Sequence, residues 1–237
     1  MKNKRGSHVG VVLSFVIFVT FLFFVYNILE PSMRIERDKE SLLEYLKMEL
    51  VREFVSNLTS ISVKINKPVE DDCIILEDFL EIIDNGGGLI VKNGTGNIMM
   101  NGIENKNLKI ENRKDENFFR IYYSEEFISE EASRQECVEL KKEGYTIGLV
   151  RTEKYLFKTK IEEFKDRMKL NYDLIKEELK IPLGNDFGFS LTQGGKEILS
   201  TEDSETIPTN IYAREIPIQY VDKEAKIFPG FITIKVW

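Results

Sequence analysis

The side chains with chemical potential are few. Cys73 and Cys137 are the two cysteines. Their distance in the chain excludes a CxxC redox or zinc motif, which leaves either one disulfide in an oxidising compartment or two free buried thiols. Cys73 as a nucleophile would need a base. The one histidine, His8, lies at the start of an apolar run, so the rest of the chain holds no Ser-His-Asp, Cys-His, HExxH or His-based zinc arrangement. Glu70, Asp71 and Asp72 offer oxygen ligands for a hard cation, but the central glycine and terminal glutamate of an EF-hand loop are missing. They read as a solvated acidic turn. The stretches NGGGL at 85–89 and KNGTGN at 92–97 are neither GxxxxGK[ST] nor GxGxxG, and they read as hairpin turns. Two N-x-[ST] sequons, at Asn57 and Asn93, are possible glycosylation sites. No catalytic constellation emerges. The expectation is a non-enzymatic protein with no cofactor-binding and no metal-binding residues.

The segment that positions everything else is His8–Leu29, HVGVVLSFVIFVTFLFFVYNIL. It carries no acidic residue, lysine or arginine. At ~1.5 Å per residue it measures roughly 33 Å, enough for a hydrocarbon core of about 30 Å. A soluble helix of this length needs a polar face, and this one has none. Lys2, Lys4 and Arg5 precede it, and positive charge at a span's end favours the cytoplasmic side. The run is too long for a cleaved signal's apolar core, and no small-x-small site follows it. The expectation is therefore an uncleaved signal anchor: a single-pass cell-membrane protein, N-terminus cytoplasmic, C-terminal region outside, with the lipid bilayer as partner through His8–Leu29.

The chain has 237 residues, with Lys+Arg 33 and Asp+Glu 40. Three of the bases precede the apolar run and every acid follows it, so the remainder is more acidic than the chain's formal charge of −7. That argues against nucleic acid and against adsorption to anionic lipid.

Past Pro31, which can kink or restart a helix, the positions Ile35, Leu42, Leu46, Leu50, Phe54 and Leu58 form one apolar stripe, predicting a helix over 32–57. The period then changes. Segments ISVKI, CIIL, LIVKN, IMMNGI, LKIEN and FFRIYY alternate between Gly/Asn turns, as in an antiparallel sheet. After a charged stretch at 129–144 comes the strand YTIGLV. A second stripe of Phe157, Ile161, Phe164, Met168, Tyr172, Ile175 and Leu179 predicts a helix over 157–180. The tail, FGFSL, EIL, NIYAREIPIQYV and FITIKVW, is β again, with a turn at Asp222–Lys226. The predicted fold class is α+β: a single N-terminal transmembrane helix, then amphipathic helices packed on antiparallel sheet in two lobes. The parts are a basic tip (1–7), the transmembrane helix (8–29), a membrane-proximal helix plus β lobe (30–128), a connecting region (129–156) and a C-terminal helix plus β lobe (157–237).

The sequence Lys4-Arg5-Gly6-Ser7, followed by the apolar run, an amphipathic helix and a β-rich region, resembles the archaeal type IV pilin-like proteins with class III signal peptides. The resemblance covers the first thirty residues and the general layout. It implies cleavage by a prepilin-type peptidase after Gly6, leaving Ser7 as the mature N-terminus, and lateral homo- or hetero-oligomerisation of the apolar helix with other membrane-anchored subunits. Pilins usually carry glutamate at the fifth mature position, where this chain has Val11. Two functions remain open: a membrane-anchored extracytoplasmic surface or envelope protein that binds a partner or ligand, and a pilin-like or pseudopilin-like subunit of a filament or secretion apparatus.

Overall fold

The computed structural model describes residues 7–69, 71–82, 87–111, 116–128, 136–201 and 210–237. Gly6, Glu70 and the first part of the connecting region lie outside them. In chain order the elements are α1 (Ser7–Phe54), β1 (Val55–Ile65), β2 (Cys73–Leu76), a short 3₁₀ turn (Phe79–Ile82), β3 (Gly88–Asn93), β4 (Ile98–Met99), β5 (Asn101–Glu104), β6 (Asn107–Glu111) and β7 (Phe118–Ser124). They continue with β8 (Val138–Leu140), β9 (Tyr145–Phe157), α2 (Lys158–Leu170), α3 (Tyr172–Glu178), β10 (Phe187–Gln193), β11 (Lys196–Ser200), β12 (Tyr212–Val221) and β13 (Ile227–Val236). The architecture is α+β with an apolar N-terminal helix.

Helix α1 is 48 residues long. The backbone stays helical through Pro31, so the apolar helix and the amphipathic one predicted after it are one element. Its C-terminal half is held by packing. Leu42, Leu43, Leu46, Leu50 and Phe54 are buried in a core shared with α2, α3 and β10–β13. Burial of each such side chain contributes about 1.5–3 kcal/mol before the entropy of ordering is subtracted. The stripe's last member, Leu58, is not helical. The chain turns to strand at Val55, because Val55–Ile61 pair with Leu156–Val150 of β9. The pairing of β1 thus ends the helix three residues before the predicted limit of 57.

The second predicted helix is interrupted at Asn171, whose backbone leaves the helical region (φ −146°, ψ 66°). The apolar stripe crosses the break, with Met168 and Ile175 both buried. The strand predicted at 145–150 runs on to Phe157, held by β1 along its length.

The strands form a nine-stranded sheet, ordered β11-β10-β13-β12-β9-β1-β7-β3-β4, and a four-stranded sheet, ordered β5-β6-β2-β8. In the large sheet β12 joins β9 through two parallel pairs, Tyr220 with Leu156 and Val221 with Phe157. On one side of this junction lies the core that takes in α1. On the other, Ile61, Val63, Leu89, Val91, Phe119 and Ile121 pack with Ile74, Leu76, Leu108 and Ile110 of the small sheet. A third cluster of Leu58, Phe127, Phe157, Val221 and Ala225 sits at the junction itself. Thus the C-terminal half of α1 shares its core mainly with residues 156–236, to which the strand directly following it adds Val55.

Candidate functional site

The first candidate is the N-terminal half of α1. Val9–Glu30 form one helical segment of 22 residues, long and apolar enough to cross a membrane, with 0% of it buried against the rest of the chain. Its polar side chains turn onto their own helix: Thr20 Oγ1 donates to the Val16 carbonyl at 2.8 Å, and Asn27 Nδ2 to the Phe23 carbonyl at 2.7 Å. Such i to i−4 bonds satisfy these two side chains without water. Ser7 is the first residue of the helix. Its neighbour Gly6, the candidate processing position, is outside the described residues.

Cys73 and Cys137 form a disulfide with Cα atoms 4.7 Å apart, within the usual range. Cys73 opens β2, and Cys137 immediately precedes β8, which pairs with β2 in parallel. The bridge therefore fixes the edge strand of the small sheet.

The two sequons differ in environment. Asn57 is an exposed residue on β1. Asn93 is built into the β3–β4 turn: its Nδ2 donates to Glu116 Oε1 at 2.7 Å, and its Oδ1 accepts from Thr95 Oγ1 and the Asn97 amide, each at 2.8 Å. Asp71 and Asp72 are exposed, and among the described residues no group of three or more His, Cys, Asp or Glu gathers in metal-binding geometry.

The structure also contains an open cleft assembled from distant segments. Its floor is one face of β7, β1 and β9. Phe118, Arg120 and Tyr122 alternate along β7, while Ser62 lies opposite Arg120 and Ser60 opposite Tyr122. The tip of the β12–β13 hairpin, Ala225 to Phe228, forms one wall, with the β3–β4 turn beside it. Two hollows of about 480 and 400 Å³ share Phe118, Arg120, Tyr122 and Ile227. The wall is fastened by Lys92, only 6% exposed, whose Nζ donates to the Ala225 carbonyl at 3.0 Å and lies 5.0 Å from the Tyr122 ring centre. Burial pulls the Lys92 ammonium below the usual lysine range, opposed by the Asp222 charge. Arg151 pairs with Glu153 at 2.6 Å and Lys226 with Glu224 at 2.6 Å. Burial, reinforced by Glu153, raises the Tyr155 hydroxyl's pKa.

Of the cleft residues the sequence offered one local sign: the alternation in FFRIYY, which sends Phe118, Arg120 and Tyr122 to one face and Phe119 and Ile121 to the buried one. No protein-family model matches this chain, and neither a curated protein nor a solved structure matches it.

Proposed function

We propose that this is a single-pass membrane-anchored protein whose α+β region lies outside the cytoplasmic membrane and binds a partner or ligand there, without catalysis. One observation carries the reading. A bare 22-residue apolar helical segment, with Thr20 and Asn27 turned onto its own backbone, leads without interruption into a helix seated in a folded core. Such a segment is stable in hydrocarbon and would be an aggregation surface in water. The Cys73–Cys137 bridge supports an oxidising location for the folded region, and the bases Lys2, Lys4 and Arg5 support a cytoplasmic N-terminus. Protease added outside intact cells is expected to digest the chain beyond residue 30. Full protection of that region would reverse the orientation.

The unbroken α1 favours a second reading, a pilin-like subunit. In that layout the bare half of α1 packs laterally against other subunits, while its outer half displays a β-rich head. Mass spectrometry of the mature chain decides it: Ser7 as first residue is the outcome for a pilin-like subunit, and an intact Met1 in the membrane fraction removes that reading.

A further inference from the structure

We propose that the cleft over β7, β1 and β9 binds an acidic polysaccharide through its carboxylate groups. The cleft holds an unfavourable placement of charge. Lys92 and Arg120 are directly paired across β3 and β7, so two cations stand side by side on one face of the sheet. Like charges in that position are destabilising. The ammonium is buried and anchored to the Ala225 carbonyl, with the Asp222 and Glu224 charges acting on it, whereas no carboxylate pairs with Arg120 among the described residues. The other two cations of the cleft already have their anions, Glu153 and Glu224. An anion arriving at Arg120 would relieve the repulsion and find a planar guanidinium suited to bidentate capture of a carboxylate.

The surroundings narrow the anion's chemistry. The Phe118 and Tyr122 rings flank Arg120 on the same face, each about 7 Å away along the strand. They offer apolar faces for sugar rings, while the Ser60 and Ser62 hydroxyls are bonded to the β9 backbone and leave the anion to Arg120. The ring–guanidinium–ring row spans about 13 Å, longer than a single sugar, and the two hollows share it. An open trough of this kind fits a chain better than a small enclosed molecule. Beyond the apolar run the protein is strongly acidic, so a polyanion is repelled elsewhere and specificity falls to this one cationic pair.

This inference rests on the surface-protein reading for where the polymer is met, but its test needs no membrane topology. Purified full-length chain in detergent micelles is titrated with polygalacturonate, dextran and dextran sulfate at physiological salt. Expected are binding to polygalacturonate at least tenfold tighter than to dextran, at least a tenfold loss in Arg120→Gln and in Tyr122→Ala, and no change in Lys154→Gln on the opposite face of β9. Arg120→Gln should also leave the thermal midpoint of the free chain unchanged or slightly raised, since it removes the like-charge pair. No binding, equal binding to dextran, tighter binding to dextran sulfate, or equal losses in Arg120→Gln and Lys154→Gln would each overturn the proposal. Protease protection in intact cells bears on the anchoring alone, so the two failures are distinguishable.

Discussion

Phe54 tests whether the C-terminal half of α1 belongs to the C-terminal core. Its side chain is fully buried, and its ring lies 5.4 Å from both the Phe164 and the Phe189 ring centres. It therefore ties α1 to α2 and to β10 at once. Phe54→Ala removes both ring contacts and leaves a cavity that helix and sheet cannot close independently. Buried Phe→Ala changes cost about 3–5 kcal/mol, a range that already includes the ring pairs. For a chain of this size each kcal/mol moves the midpoint by about 2–4 °C, so a drop of roughly 10 °C is expected. The chain carries its own reporter. Trp237 is the only tryptophan, and it exchanges two backbone hydrogen bonds with Asp186, each 3.0 Å, at the end of β13. Its fluorescence follows melting of this core and is blind to the apolar half of α1, which detergent keeps helical. Met48→Ala, on an exposed position of the same helix, should shift stability by less than about 0.5 kcal/mol. A loss below about 1 kcal/mol for Phe54→Ala would refute the claim that α1 is seated through this residue.

Four further outcomes follow from the structure. The disulfide closes a loop with a sequence separation of 64, for which chain entropy gives about 4 kcal/mol, so Cys73→Ser with Cys137→Ser should lower the denaturant midpoint markedly; an unchanged midpoint would refute it. Tyr172, whose hydroxyl donates to the Phe187 carbonyl at 2.9 Å and accepts from the Phe187 amide at 2.8 Å, has its pKa pushed up to about 12 by burial. Its contribution is complete below the unfolded value of about 10 and is lost as pH rises toward 12, so Tyr172→Phe should flatten stability across that window, as read by Trp237 fluorescence. In a glycosylating host Asn57→Gln should remove the glycan mass while Asn93→Gln leaves it, since the Asn93 amide nitrogen is held by Glu116; intact-mass measurement checks this. Gly148 sits in the β1–β9 bulge, where an added Cβ would lie 2.6 Å from Ser62 Oγ, so Gly148→Ala should cost about 1–3 kcal/mol, measured by urea unfolding.

The legible parts of the fold were those decided locally. The stripe Leu42, Leu46, Leu50 and Phe54 identified a helical face, and every one of those residues is buried. The same rule misled at Leu58, because a period of four continues into β1, where the residue is buried for another reason: it meets Val221 and Ala225 at the junction of the sheet. Likewise the stripe from Phe157 to Leu179 could not announce the break at Asn171, since an apolar face can be kept across a change of axis. The parallel contact of Tyr220 and Val221 with β9 had no local sign. It depends on where the β12–β13 hairpin comes to rest against β9, a strand whose other partner, β1, is distant in sequence. The cleft suffers most from this. Lys92 reads as the end of a strand, Ala225 as part of a turn and Ser62 as one polar position in an alternating strand. Only their assembly puts a buried ammonium beside a guanidinium.

The unbroken α1 bears on both functional readings through distance. Leu42 begins the buried part of the helix, and Glu30 ends the apolar segment. Twelve helical steps between them amount to about 18 Å, and residues 36–38, 40 and 41 on this stretch are exposed. In the anchored reading this length of helix lifts the core clear of lipid headgroups, so the cleft meets soluble or envelope-bound polymer rather than the bilayer. In the lateral-assembly reading, helices brought together through their bare halves would carry cores spaced by the width of the large sheet, and the cleft would repeat along the assembly. A polymeric ligand would then gain from multivalency. Weak capture by one Lys92–Arg120 pair would become tight retention by several. Vesicles crowded with chains should bind polygalacturonate more tightly than micelles in either reading, because anchored chains that diffuse freely also gather on one polymer; a gain that persists when the chains are diluted in the vesicle membrane is the outcome for lateral assembly, and a gain that falls away on dilution is the outcome for separate anchored chains.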